Sequence, residues 1–423
     1  MVKVHIETYG CTMNQADSDL MRGIISQKHQ IAEEGEQDAD IVVLNTCGVI
    51  EFTERKILRR IEELKPDKKV VVAGCLPKIS REKVREISDV VVGTNVYDID
   101  KAIECAVKGE NASFVDKADA DKAGLCSLKR RLENNAIAIV SISEGCLGHC
   151  TFCATRRARG RLKSFSIENI EKEIEGAVEQ GFKEIQLTSQ DTGAYGLDKN
   201  KFSLPDLLSA ISEIEGDFRV RVGMMNPEHA LNNVEELVNA FKSEKIYKFL
   251  HVPVQSGDNK ILEDMGRDHS PEDFRHLVSH FRKSFKDVMV STDIIVGFPT
   301  EDEGSFYKSY ELIKEVEPQI VNITRYSPRH GTSSYRLKDI PDWIKKERSR
   351  KLTRLCKQIS YSTNRRFLGS EQKVLATRNG KNGTILTRTN SYRPVILQKA
   401  EIGEFYDVKI ADFAENYLVG QVV

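Results

Sequence analysis

The sequence predicts an α/β chain in three parts: an N-terminal parallel α/β domain, a central partial (β/α)6 barrel and a small C-terminal all-β barrel. Three observations carry this. Short apolar runs alternate with helical patterns over residues 1–108, as in a parallel sheet covered by helices. Six more such units follow over 135–340, a partial version of the β/α barrel, whose sites lie at the carboxyl ends of strands. Residues 368–423 read as short strands between turn signals.

The elements follow in order. In the first part the strand runs are 2–7, 41–45, 70–73 and 90–92, with helical stretches near 15–28, 51–64, 80–87 and 98–108. Residues 109–134 are polar and read as a linker. The central runs are 136–142, 184–187, 219–222, 248–254, 290–296 and 320–325, with helical segments near 167–180, 204–215, 232–243, 271–285 and 303–316. Residues 341–367 read as a basic connecting helix. Leu352, Leu355, Cys356 and Ile359 share one helical face, and Lys345, Lys346, Arg348, Arg350, Lys351 and Arg354 the other. Turns at 379–383, 391–394 and 402–404 punctuate the last part.

The chain has 423 residues, 40% hydrophobic and 30% charged, ordinary for a globular protein. No apolar run approaches the ~18 residues of a membrane span, and the start, MVKVHIETYG, is strand-like rather than a signal peptide. A cytoplasmic protein without a membrane anchor is expected. The net charge of −1 hides an asymmetry. Residues 1–106 carry 15 Lys and Arg against 19 Asp and Glu, and residues 341–423 carry 16 against 8. A basic terminal domain points toward nucleic acid; a solvated charged face is the alternative.

There are nine cysteines. Without export signals, cysteines more often bind metal, do redox chemistry or sit buried than form disulfides. Cys146, Cys150 and Cys153 are spaced C-x3-C-x2-C just after the first barrel strand. Thiolates in such runs hold iron–sulfur clusters, and three ligands leave one iron open. Zinc with a distant fourth ligand, such as His149, is the alternative. Cys11, Cys47 and Cys75 each stand just past a predicted strand of the first domain. Carboxyl ends of parallel strands share one edge, so the three can converge. Gly10, Gly48 and Gly74 beside them let the backbone come close to a bulky inorganic group. Cys105, Cys126 and Cys356 lack such placement, and Cys356 reads as core.

The C-x3-C-x2-C run, with aromatic Phe152 before its last cysteine, resembles the signature of radical S-adenosylmethionine enzymes. The 3+3 cysteine arrangement resembles the methylthiotransferase family. So do the blocks LTSQDTGAYG at 187–196, HVPVQSGDNKILEDMGR at 251–267, DIIVGFPTEDEGSF at 293–306 and RYSPRHGTSSY at 325–335. The C-terminal part resembles the TRAM domain, a small RNA-binding barrel. ETYGCTMNQADSD and CATRRARGRLKSFS are similar to the archaeal and eukaryotic branch, which acts on threonylcarbamoyladenosine in tRNA. The resemblance implies two 4Fe-4S clusters, one on Cys146, Cys150 and Cys153 and an auxiliary one on Cys11, Cys47 and Cys75. It also implies S-adenosylmethionine as both radical source and methyl donor. The target would be C2 of the adenine, whose C–H bond is too weakly acidic for a side-chain base, so the cofactor does the hard step.

Gln190 and Asp191 end the second barrel strand, Gln255 and Ser256 the fourth. With Phe152 they are expected to contact cofactor, ordinary strand-end caps being the alternative. Arg156, Arg157 and Arg159, with Arg161 and Lys163, follow the cysteine loop and are expected to grip anticodon-loop phosphates, a solvated loop being the alternative. Arg378, Lys381, Arg388 and Arg393 interleave with Tyr392 and are expected to bind unpaired nucleotides, an accessory barrel that only packs on the catalytic domain being the alternative. Partners are then the tRNA anticodon loop and a flavodoxin- or ferredoxin-like electron donor, the chain acting as a monomer. Modification of a ribosomal-protein aspartate, or a non-catalytic RNA-binding iron–sulfur sensor, are the competing readings.

Overall fold

A computed structural model describes residues 1–32, 35–48, 51–115 and 135–423, Phe52 by its backbone alone. Residues 116–134, with Cys126 and most of the expected linker, lie outside the described residues.

The first domain is a six-stranded parallel sheet of Lys3–Thr8, Gln30–Ile31, Ile41–Thr46, Lys69–Gly74, Val90–Val92 and Ala112–Phe114. The strand Ala112–Phe114 corrects the linker reading at its start: it pairs with Val90–Val92 and completes the sheet edge. Ile41, Val42, Val43 and Leu44 are all fully buried because helices cover both faces of their strand. The Gln30–Ile31 strand lies on one side of Lys3–Thr8 and Ile41–Thr46 on the other. Strand order therefore reverses beside Lys3–Thr8, and a crevice opens there at the carboxyl ends.

The central part is a six-stranded partial barrel in two halves. One holds Ile137–Ser141, Glu184–Thr188 and Arg219–Arg221, the other Phe249–His251, Met289–Val296 and Ile320–Arg325. A parallel bridge between Val220 and Ile246 joins them. Helices such as Ile167–Glu179 and Pro271–Ser284 pack outside, each opened by a serine side chain, Ser166 or Ser270, that accepts a backbone N–H.

Helix Asp342–Arg365 buries Leu352, Leu355 and Ile359 as its spacing predicts. Lys345 and Arg348, expected on the solvated face, are buried instead. Lys345 pairs with Asp339 at 2.7 Å and Arg348 with Glu301 at 2.6 Å. A buried cation of this kind is tolerated because a carboxylate meets it. Among the described residues no helix is long and apolar enough to cross a membrane.

The last part is a closed five-stranded barrel of Glu371–Asn379, Ile385–Thr389, Pro394–Leu397, Phe405–Phe413 and Leu418–Val422. It caps the amino-terminal mouth of the central barrel, opposite the cysteine loop. Tyr392 is the plug. It packs against Tyr247 and Phe249, and its hydroxyl lies 3.1 Å from both Glu184 Oε1 and Gln186 Nε2. This corrects the placement of Tyr392 on an RNA surface: the ring is spent on domain packing. Tyr392→Phe should cost about 0.5–1.5 kcal/mol, the net worth of one hydrogen bond, since Gln186 Nε2 at 2.6 Å and the Tyr247 hydroxyl at 3.2 Å still donate to Glu184. Urea unfolding measures it, and unchanged stability would mean that the hydroxyl is not needed to satisfy that carboxylate.

Candidate functional site

The auxiliary cysteines converge at the switch-point crevice. Thr8 pairs with Asn45 in register, and Thr46 with Gly74. Cys47 and Cys75 thus leave adjacent strand ends, and the Cys75 N–H donates to Thr46 O at 2.8 Å. Cys11 caps helix Thr12–Ile25, and its thiol donates to Asn14 Oδ1 at 3.4 Å. Asn14 is fully buried and ties the crevice together, donating to Asn45 Oδ1 and Thr46 O. Gly10 has a φ of +132°, and a Cβ there would stand 2.7 Å from the Cys47 Cβ. Gly74 has a φ of +96°, and its Cβ would stand 2.5 Å from Thr46 O. Neither position accepts a side chain, so the glycines are what let Cys47 and Cys75 draw together.

The second set lies on the loop after Ile137–Ser141. The Gly148 N–H donates to Cys146 Sγ at 3.2 Å and the Thr155 N–H to Cys153 Sγ at 3.4 Å. Arg267 Nη1 donates to Cys150 Sγ at 3.5 Å. Each sulfur is therefore met by an N–H, the arrangement that tunes iron–sulfur ligands. A Cβ on Gly148 would lie 3.4 Å from Cys146 Sγ and 3.8 Å from Cys150 Sγ, so this glycine leaves the space over two sulfurs clear. Burial, then the Asp191 carboxylate, pushes the Cys146 thiol up to about 12. Burial raises Cys153 and Cys75 as well, against the neighbouring charge of Arg267 and Arg159 respectively. Thiols this reluctant to ionise alone become thiolates when a metal takes the proton's place. Among the described residues no three His, Cys, Asp or Glu side chains are grouped for a single ion. A 4Fe-4S group bonds each cysteine through a different iron and needs no such convergence on one point. His149, the alternative zinc ligand, is exposed and turned toward Asp268, at 3.8 Å.

The expected cofactor contacts divide. Gln190 Oε1 accepts from Gly145 N at 2.6 Å and so anchors the cysteine loop. Asp191, 1% exposed, accepts from the backbone of Gly193 and Asn226 and from His229 Nδ1 at 2.7 Å. Phe152 is half-buried against the Ile261, Met265, Ile295, Phe298 and Tyr326 cluster. Gln255 has a left-handed φ of +69°, and its Oε1 is buried with no protein partner. Ser256 corrects the expectation. It is fully buried, meets Ser309 Oγ at 3.3 Å and accepts from Asp258 N, so it fastens helix Glu303–Val316 rather than a ligand.

Sequence reasoning passed over several residues here. Asn226 Oδ1, Arg267 Nε and His269 Nδ1 join Gln255 Oε1 as buried polar atoms without protein partners. Such atoms are rare unless a ligand completes them, and a polar, zwitterionic cofactor would. Arg267 was legible only as the last letter of HVPVQSGDNKILEDMGR. His229 is raised: burial would lower it, but the hydrogen bond and charge of Asp191 outweigh that. His269 is lowered to about 4 by burial and by Arg267. The unfolded chain therefore binds a proton at His269 that the folded chain refuses between pH 6.5 and 4. Stability should fall across that window, by on the order of 3 kcal/mol at its acid end. His269→Gln should flatten that part of a urea-midpoint against pH profile, and an unflattened profile would assign the loss elsewhere.

The basic residues divide too. Arg156 and Arg157 are exposed, but both also brace loops, Arg156 donating to Gly148 O at 3.3 Å and Arg157 to His330 O at 2.6 Å. Arg378 and Lys381 are exposed. Arg388 is half-buried over the Tyr392 ring, at 4.3 Å, and lines a groove of about 220 Å³ with Arg219, Lys373 and Phe405 at the seam of the two barrels. Arg393 is a correction: 4% exposed, it stacks on Phe367 and donates to Asn364 Oδ1 at 3.1 Å, inside the terminal barrel's contact with helix Asp342–Arg365. Arg159 is the second, buried between the two cysteine sets rather than on a face that RNA reaches. Another arginine secures the boundary: Arg329 reaches from the barrel to Glu54, at 2.8 Å, and to the Gly48 carbonyl beside Cys47.

Comparison with known proteins fits this arrangement. Residues 3–93 match the "Uncharacterized protein family UPF0004", residues 140–313 the radical SAM superfamily and residues 365–423 the TRAM domain. The chain is 58% identical over 422 residues to a probable threonylcarbamoyladenosine tRNA methylthiotransferase of Archaeoglobus fulgidus, covering 100% of this chain and 99% of that one. It is 32% identical to the threonylcarbamoyladenosine tRNA methylthiotransferase of Danio rerio, covering 100% of this chain and 78% of that one. In fold it is similar to a radical S-adenosylmethionine methyltransferase from Kitasatospora setae, with a TM-score of 0.59 at 14% identity, over 79% of this chain and 74% of that one. Three domains in one order, along with full-length identity to relatives in archaea and a vertebrate, lead to one conclusion: the chain belongs to the threonylcarbamoyladenosine tRNA methylthiotransferase family.

Proposed function

We propose that this chain methylthiolates C2 of threonylcarbamoyladenosine beside the tRNA anticodon, with S-adenosylmethionine as radical source and methyl donor. One observation carries the reading: Cys11, Cys47 and Cys75 on one domain and Cys146, Cys150 and Cys153 on the next share one domain boundary. When bound, two 4Fe-4S groups there supply the electron that cleaves S-adenosylmethionine and the sulfur that is transferred. The chain's own residues hold the parts. Gln190 keeps the cysteine loop in place through Gly145. Asn226, Gln255, Arg267 and His269 offer S-adenosylmethionine the polar atoms they leave unpaired. Asp191 pins His229 through a 2.7 Å hydrogen bond, and its charge raises the imidazole against the effect of burial, so the pair serves to position the loop after the second barrel strand.

Arg156 and Arg157 suit anticodon-loop phosphates, and Arg378 and Lys381 suit phosphates farther along the tRNA. Removing the cation that neutralises one phosphate lowers the salt slope by about 1. The pair Arg378→Ala and Lys381→Ala should therefore weaken tRNA binding and flatten its salt dependence while S-adenosylmethionine cleavage continues. An unchanged slope in filter binding would remove these two residues from the RNA surface. A flavodoxin- or ferredoxin-like protein donates the electron, and the enzyme works in the cytoplasm as a monomer. Mass analysis of tRNA nucleosides from a strain without the gene tests the whole reading. The methylthio form of threonylcarbamoyladenosine should vanish, and its persistence would refute the assignment.

A further inference from the structure

Arg159 belongs to neither site by sequence and touches both. Its side chain is 1% exposed. Nε donates to Cys75 Sγ at 3.3 Å. Nη1 meets Asp17 Oδ2 at 2.7 Å and Glu144 Oε1 at 2.8 Å. Asp17 stands on the helix that Cys11 caps, and Glu144 stands two residues before Cys146. Arg159 itself closes the short helix Thr155–Arg159, which begins two residues past Cys153. One guanidinium thus ties an auxiliary cysteine to both ends of the radical-site loop. Its Nη2 is buried with no acceptor among the described residues, a donor left over beside Cys75.

We propose that Arg159 is a positioning residue that holds the Cys75 sulfur as a metal ligand, tunes the group bound there and registers the auxiliary site against the Cys146–Cys153 loop. The proposal rests on the reading that Cys11, Cys47 and Cys75 hold an iron–sulfur group. A cationic N–H aimed at a thiolate withdraws electron density from it, and hydrogen bonds to the sulfurs raise a cluster's reduction potential. The planar fork matters because it serves sulfur and two carboxylates at once. A lysine ammonium keeps the charge but not that geometry.

The test uses the full chain with Cys146, Cys150 and Cys153 all changed to Ala, so that only the auxiliary group is rebuilt. Its potential is measured by anaerobic redox titration followed by paramagnetic resonance, with iron assayed in the same samples. Arg159→Met is combined with Glu144→Gln, which removes one positive and one negative charge together. The expected result is retained iron and a potential lowered by at least tenfold in the one-electron equilibrium, about 59 mV. Arg159→Lys should recover less than half of that shift. Retained iron with parental potential and spectrum in the Met variant would overturn the proposal. If the Met variant takes up no iron, Arg159→Lys decides alone: a lowered potential supports the proposal and a parental one overturns it. A parent chain that binds no iron would refute the auxiliary-site reading itself, and the proposal with it.

Discussion

Cys150→Ala should abolish 5′-deoxyadenosine formation, to below detection rather than to a fraction. Removing a general acid or base typically costs a factor of ~10²–10⁴ and leaves a residue of activity. Here the lost group would carry the electron, and no nearby side chain substitutes for it. Cys150 also accepts a hydrogen bond from Arg267, which would keep only its bond to Pro253 O. Iron should drop from about eight to about four per chain. The sample to compare is Cys356→Ala. That cysteine packs on the central core from helix Asp342–Arg365, far from either set in the chain, and its loss should leave cleavage intact. A Cys150→Ala protein that still cleaves S-adenosylmethionine would remove the radical site from this loop.

Cys47→Ala should do the opposite: S-adenosylmethionine cleavage continues and the methylthio product disappears. Cys47 is buried at the end of Ile41–Thr46, with Gly10 pressed against it and the Gly48 carbonyl held by Arg329. The substitution leaves Cys146, Cys150 and Cys153 in place, so the radical half keeps its ligands. Deoxyadenosine and modified nucleoside are counted in one anaerobic reaction. Full product from Cys47→Ala would show that the two cysteine sets do not divide the work. Loss of both products would instead show that the auxiliary site supports the radical loop structurally, a result the Arg159 bridge makes worth looking for.

Much of this protein was legible before folding was considered. Strand ends, cysteine spacings and the apolar face of Leu352, Leu355 and Ile359 are local properties, and periodicity reports them directly. Convergence of Cys11, Cys47 and Cys75 followed from one topological rule about parallel strands. The short strand Ala112–Phe114 escaped notice because three residues on a sheet edge carry too little pattern to read.

Charge was where the sequence misled. Arg159, Lys345 and Arg348 each sit in a run of cations, and Arg393 follows Tyr392 in a turn; such residues ordinarily face water or phosphate. For three of them the burying partner is far along the chain, Asp17 and Cys75 for Arg159, Glu301 for Arg348 and Asn364 for Arg393, while Lys345 meets the nearby Asp339. Tyr392 was drawn inward in the same way by Glu184 and Tyr247. The sequence by itself determined the fold class and the family, because strand–helix alternation and short motifs such as the C-x3-C-x2-C run are written along the chain. Only the tertiary structure decided which cations stay exposed and which are buried against a partner. Whether a cation is exposed depends on an acceptor far away along the chain, and desolvating it is tolerable only where that acceptor waits.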